Sequence, residues 1–277
     1  MIDFETVMTL TQKEVRDARR NRWFLLYAIA FTGLSLALAW LALSGAGNYG
    51  LAGYGRTSAS LINLVLLIVP LMGLTLGAMS LAGERESGTL LYLLAQPISQ
   101  GELLLGKFIG LALALVAALG LGFGLTALLL AFSGGSADIM TYLTLLVLAC
   151  LLAIASLAIG FLISASVQRA STAIGVALFV WLLLVFFGDL GLMGTSIALR
   201  LDANQLLLLA MTNPLQLFKV AAVLNLRQNL EVLGPVGVYA FRTYGDRLMP
   251  LLIGLLTLWC IVPTALAAVI LKRRGVM

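Results

Sequence analysis

The chain has 277 residues, 61% of them hydrophobic and only 10% charged, with a net charge of +5 and no histidine; its mean hydropathy is +1.07. Soluble domains are about 45–50% apolar and about 25% charged, so this composition, with its runs of roughly twenty apolar residues, describes an all-α integral membrane protein. The missing histidine excludes b-type haem ligation, histidine zinc sites, Ser-His catalysis and histidine proton relays, and the basic residues flank apolar runs rather than forming a nucleic-acid stripe.

Residues 7–22 read as a basic amphipathic surface helix. Thr11 and Glu14 have capping-box spacing, Val7, Leu10, Val15 and Ala18 share a face, and the arginines can reach lipid phosphates. A frayed tail that only sets topology is the plainer reading of the same charges. Six apolar runs follow, near residues 23–43, 61–82, 104–132, 140–163, 172–190 and 248–271, each close to the roughly 20 residues that cross about 30 Å of hydrocarbon. The first is too long for a cleaved signal peptide and should persist as a signal anchor.

Lys and Arg gather before the first run (Lys13, Arg16, Arg19, Arg20, Arg22), in the second and fourth connections (Arg85, Lys107, Arg169) and after the last run (Lys272, Arg273, Arg274). The first and third connections hold only Arg56. The positive-inside bias therefore places both termini in the cytoplasm. One transmembrane domain is expected over 1–277: a cytoplasmic amphipathic segment at 1–22, five spans within 23–190, an extracytoplasmic segment at 191–247, a sixth span at 248–271 and a tail at 272–277. Gly73 with Gly77, Gly106 with Gly110, and Gly120 with Gly124 have GxxxG spacing and predict close helix contacts.

The second connection is the most polar. Residues 84–107 read ERESGTLLYLLAQPISQGELLLGK and hold five charges: Glu84, Arg85, Glu86, Glu102 and Lys107. Pro97 cannot continue a helix, and Ser99 with Glu102 has capping-box spacing for the next one. A short helix over 84–95 is expected to lie along the cytoplasmic surface, too short to cross and too apolar to float free. The fourth connection, around Arg169, reads either as a second contact on the same side or as a plain tight turn.

Farther on, Asn213 can cap a helix with Pro214 at its first position, setting Leu215, Phe218, Ala222 and Leu226 opposite Gln216, Lys219 and Asn225. This predicts an amphipathic helix on the outer surface that docks a periplasmic partner or simply covers the spans. Met193, Met211 and Met249 are scattered filler rather than a copper site. Cys150 and Cys260 read as buried structural thiols. Asp189 has no second intramembrane carboxylate to share a proton with, which removes an aspartyl-protease reading.

The run Glu84, Arg85, Glu86, Ser87, Gly88, Thr89, Leu90, then Leu94, Pro97 and Gly106-Lys107, resembles the signature of ABC-2 type transporter permeases, a family of the type V exporter architecture. The resemblance implies six spans with cytoplasmic coupling helices, a separate P-loop ATPase subunit docked on this segment, and pairing of two permease copies; the connection that holds Arg169, unless it is a plain turn, is the natural second contact for that subunit. It also implies that this chain is a non-catalytic subunit in a bacterial or archaeal inner membrane. The chain has no G-x-x-x-x-G-K-[ST] loop, so ATP and magnesium belong on the partner ATPase and no cofactor on the chain itself.

Arg20-Asn21-Arg22-Trp23, the GERESGTL stretch, Asn213-Pro214 and Phe218-Lys219 further resemble permeases of nitrous oxide reductase maturation systems. That likeness implies a partner ATPase, a periplasmic solenoid accessory protein and export of a sulfur-containing species or other aid to copper-site assembly; other ABC-2 cargoes are drugs, lipids or polysaccharides. An ion-coupled carrier is a different reading, disfavoured because no span holds an ionisable group away from its ends. A membrane scaffold is another.

Overall fold

The computed structural model describes residues 3–44, 53–90, 98–132, 139–188, 203–226, 240 and 243–274. Among these residues nine α-helices follow one another: α1 Phe4–Ala18, α2 Arg22–Ser44, α3 Gly53–Glu86, α4 Gln100–Phe132, α5 Ile139–Ser166, α6 Ala170–Phe186, α7 Ala203–Met211, α8 Pro214–Asn225 and α9 Leu248–Arg274. Five have stretches long and apolar enough to cross a bilayer: Arg22–Leu41, Ser60–Glu86, Gln100–Phe132, Ile139–Ser166 and Leu248–Arg273. α6 has 17 residues, about 26 Å at 1.5 Å per residue, slightly under the about 30 Å of hydrocarbon; the part of the expected run beyond residue 188 lies outside the described residues. α7 and α8 meet at a bend of 110°.

The bundle is built around α3 and α5, whose apolar windows are 78% and 67% buried, against 22% for α2 and 17% for α9. Lipid tails are as apolar as leucine, so the hydrophobic effect does not drive two spans together; close packing must. Here glycine permits it. A Cβ placed on Gly77 would sit 2.5 Å from the Leu157 carbonyl oxygen, and one on Gly160 would sit 2.5 Å from that of Leu74. Gly73 faces Ala153 and Ser156 in the same crossing. α6 lies against this pair through Ala173 and Ala177, both fully buried beside Leu74, Ala78 and Ile163, and Trp181 Nε1 donates to the Leu67 carbonyl at 3.1 Å.

α2 joins from the other side. Phe31 packs into the space over Gly122, and its ring continues to Phe123 at 5.7 Å and from there to Tyr142 at 5.5 Å. Tyr142 OH donates to the Phe123 carbonyl, so its polar end is satisfied inside the bundle.

Two expectations change. Gly120 and Gly124 have nothing within 4 Å of a built Cβ; their spacing is that of a contact, yet they point away from every described helix. α8 begins as foreseen, with Asn213 accepting from the Leu215 amide at 2.9 Å, but it does not lie on the outer surface. Residues on all its sides are buried, Gln216 and Phe218 included, because it packs across α5 and α9 and Asn225 Nδ2 donates to the Thr141 carbonyl at 2.7 Å. The polar residues that made it look amphipathic bond within the protein.

Gly160→Leu should lower the thermal unfolding midpoint in detergent, overpacking costing about 1–3 kcal/mol or more, whereas Gly120→Leu should stay within about 0.5 kcal/mol of the parent. Equal losses would break the assignment of these glycines to opposite surroundings.

Candidate functional site: a charged hub at the motif end of the bundle

α1 begins earlier than its sequence suggests. Asp3 is the cap, its carboxylate accepting from the Glu5 amide at 3.2 Å and from Thr6 Oγ1 at 2.9 Å. Thr11 and Glu14 therefore do not form a capping box; both are mid-helix and buried, in line with Val7, Leu10 and Ala18. This face rests on α4. A Cβ on Gly106 would meet Leu10 Cβ at 2.6 Å, one on Gly110 would meet Glu14 Cβ at 2.6 Å, and Thr11 Oγ1 donates to the Gly106 carbonyl at 3.3 Å. The second GxxxG pair is thus the seat of the N-terminal helix. Arg16, Arg19 and Arg20 remain exposed on the opposite side.

Contact at that seat brings buried ions together. Lys107 is 1% exposed, and its Nζ lies 2.6 Å from Glu14 Oε1 and 2.9 Å from Glu84 Oε1. Lys13 Nζ reaches the same Glu84 oxygen at 3.3 Å and Glu14 Oε1 at 3.7 Å. An isolated ion in such a place would cost several kcal/mol, so two lysines and two glutamates from three helices offset one another. Burial pulls the Lys13 pKa down, but attraction to Glu84, then to Glu14, with the Glu84 hydrogen bond and Asp17, leaves it above its ordinary 10.5; the amine is a firm cation. Glu84 Oε2 is buried and, among the described residues, has no hydrogen-bond partner.

The structure places Glu84, Arg85 and Glu86 in the last turn of α3, not in a separate helix over 84–95. α3 ends because Gly88 adopts φ +75°, the left-handed conformation that stops helices and suits glycine. The Ser87 amide bonds back to the Gly83 carbonyl and that of Gly88 to Arg85. Helix resumes at Thr89 and Leu90; Pro97 and the rest of the expected 84–95 helix lie outside the described residues.

Each charge in the last turn of α3 has its own neighbour. Glu84 holds the lysines of α1 and α4. Arg85 Nη1 donates to the Val167 carbonyl at 2.6 Å. Glu86 Oε2 accepts the Ala170 amide at 2.8 Å, a carboxylate on the first turn of α6 where the helix dipole favours it. One turn earlier, the Leu81 and Ala82 amides donate to Ser164 Oγ of α5 at 3.0 and 2.8 Å. Ser87, Gly88 and Thr89 are exposed while Leu90 is buried, and the two hydroxyls lie 2.8 Å apart. Arg169 is exposed and occupies the cap position of α6 without a side-chain cap bond.

Beyond the turn, Ser99 and Glu102 do form their capping box: Glu102 Oε2 accepts the Ser99 amide at 2.8 Å and Ser99 Oγ accepts the Glu102 amide at 3.2 Å. The other Glu102 oxygen accepts the Asp3 amide at 2.8 Å, so the start of α4 is tied to the start of α1. Sequence reasoning missed Lys13 and Glu14 as parts of this site and took Lys107 only as a topology charge and motif residue. A signal was available: a lysine just inside an apolar run needs a buried partner, and Glu14 is the acid on the apolar face of the preceding helix.

The arrangement holds no cluster of His, Cys, Asp and Glu fit for a metal among the described residues. What it can do is mechanical. Displacement of the exposed turn at Ser87–Thr89 would be felt through ion pairs by α1 and α4, and through hydrogen bonds by α5 and α6.

Residues 8–276 match the family described as ABC-2 family transporter protein. Among curated proteins, the chain is similar to the "Probable ABC transporter permease protein NosY" of Stutzerimonas stutzeri, 34% identical over 220 residues that cover 77% of this chain and 80% of the relative. The protein of the same description from Pseudomonas aeruginosa is 34% identical over 224 residues, with the same shares of 77% and 80%.

Lys107→Met should destabilise the chain by about 3–5 kcal/mol, since it strands buried carboxylates. Combined with Glu14→Gln it should cost less than the sum of the two single changes by about 1 kcal/mol or more; strict additivity in thermal unfolding would dismantle the pairing. Lys13 has a raised folded pKa, so its contribution, taken as the difference from Lys13→Met, should be fully present below 10.5 and vanish as pH rises through the folded value. A contribution that falls on acidification from neutral pH would contradict the sign.

Proposed function

Since the chain belongs to the ABC-2 family of transporter permeases, we propose that its motif end receives motion from a separate P-loop ATPase and passes it to the spans. The observation that supports this most is the exposed Ser87-Gly88-Thr89 turn, joined by Glu84, Arg85, Glu86 and Ser164 to four other helices. A docking surface that works by pushing must be accessible and stiff. This turn is accessible, and the left-handed Gly88 and the charged last turn of α3 give it stiffness. Arg169, exposed at the start of α6, adds a cation on the same side.

In this reading ATP and magnesium reside on the ATPase, both termini face the cytoplasm, the membrane is the inner membrane, and the working unit holds two copies of this chain with two ATPase subunits. The two similar permeases and the narrower motif likeness favour a role in nitrous oxide reductase maturation, with a periplasmic accessory protein receiving what the permease delivers. In this role the cargo is a sulfur-containing species or another aid to copper-site assembly; the alternative is an ABC-2 exporter of a drug, lipid or polysaccharide.

Gly88→Trp, which strains a left-handed backbone, and Thr89→Arg, which replaces an exposed side chain and its hydroxyl bonds within the turn, should both abolish co-purification with the cognate ATPase while leaving membrane insertion intact. The parent complex should have the mass of a two-plus-two assembly in native membranes. Wild-type ATP-dependent transport by an inserted Thr89→Arg variant, or a stoichiometry of one permease, would defeat the proposal.

A further inference from the structure

At the break between α1 and α2 the guanidinium groups of Arg16, Arg19, Arg20 and Arg22 all stand exposed. None of them forms an ion pair among the described residues; the ion pairs of α1 are made by Lys13, Glu14 and Asp17, the last at 4.0 Å from Lys13. We infer that this turn, together with Trp23, binds the headgroups of anionic phospholipids in the leaflet where α2 begins.

The turn is held in place from both sides. Ala18 of α1 and Phe24 of α2 are buried in one core, the Arg20 and Asn21 amides bond back to the Asp17 and Ala18 carbonyls at 3.1 Å, and Asn21 Oδ1 accepts the Trp23 amide at 3.0 Å and the Phe24 amide at 3.4 Å. The arginines are thus presented by a fixed backbone rather than by a loose tail. Their height is set by α2, whose apolar stretch starts at Arg22, so these side chains reach the plane of the lipid phosphates. Trp23 is 59% exposed, and with Tyr27, 6.5 Å away ring to ring, it occupies the level where aromatic residues border hydrocarbon and water. Phe4, Met8, Val15 and Arg19 follow one another at helical spacing along one flank of α1. Phe4 and Met8 are exposed, the pattern of a helix that lies against a lipid surface.

A guanidinium fork matches the oxygens of a phosphate, and each basic residue near an anionic leaflet strengthens attachment roughly fivefold. Phosphatidylcholine carries the same phosphate but cancels it with choline, so net charge is the discriminator. An acidic protein surface would offer similar charge. The exposed indole at the start of an apolar stretch favours lipid, because there it has a hydrocarbon border to fill.

Trp23 is its own reporter. In the full chain with Trp40, Trp181 and Trp259 changed to Phe it is the sole tryptophan. In nanodiscs of mixed phosphatidylcholine and phosphatidylglycerol, quenching of Trp23 by brominated acyl chains, carried first on one lipid and then on the other, measures the relative affinity of the two. Phosphatidylglycerol should be preferred roughly fivefold or more at low salt, and the preference should shrink as salt screens it. Changing Arg19, Arg20 and Arg22 together to Gln should bring the two lipids to equal quenching, whereas changing all three to Lys should keep most of the preference. Should the triple Gln variant insert poorly, Arg19→Gln with Arg20→Gln supplies the same test, Arg16 and Arg22 still flanking the turn. Equal quenching by both lipids in the parent, or a preference that survives the Gln variants, overturns the site. So does loss of the preference when the cognate ATPase is added, which would assign the face to that protein. The lipid measurements themselves contain no ATPase, so their failure is separate from failure of the coupling proposal.

Discussion

A single buried amine organises the motif end of this protein. Lys107 enters the bundle just inside an apolar helix, where a lone ammonium would be intolerable, and its nearest counter-charges come from two other helices, Glu14 of α1 and Glu84 of α3. Burial makes the pairing compulsory, and the pairing fixes where α1 lies, how deep α4 starts and where the last turn of α3 points. The glycines that seat α1 on α4 serve the same end, since Gly106 and Gly110 bring Glu14 close enough to reach the amine.

The rest of the fold is joined to that hub through α3 and its close backbone contacts. α3 is one continuous helix of 34 residues, and through Gly73, Gly77 and Gly160 it touches α5 backbone to backbone. Contacts of that kind have no side chain to give way, so displacement of one helix is displacement of the other. The motif charges sit at the end of this helix itself.

Polar groups elsewhere follow one rule in two forms. Inside the bundle, hydroxyls of Thr75, Ser80 and Ser156 donate to carbonyls of their own helices, and Tyr142 finds Phe123. At breaks, side chains replace lost backbone partners: Asn213 for α8, Asp3 for α1, Ser99 with Glu102 for α4, Glu86 for α6. Each break thereby keeps its freed backbone groups bonded.

Composition, run length and local capping chemistry were enough to reveal a helical membrane protein, the positions of its long apolar helices, the caps at Asn213 and at Ser99 with Glu102, and the motif that places it among ABC-2 permeases. These are legible because each depends on residues within a few positions of one another or on bulk hydropathy. Only the tertiary structure decided that Glu14 and Lys107 share a buried ion pair, that Gly106 and Gly110 receive α1 while Gly120 and Gly124 receive nothing, and that α8 is an interior helix. Periodicity records which residues share a face; it does not record what the face meets, and burial in the low-dielectric interior, which sets the energy of every charge here, is a property of neighbours distant in the chain.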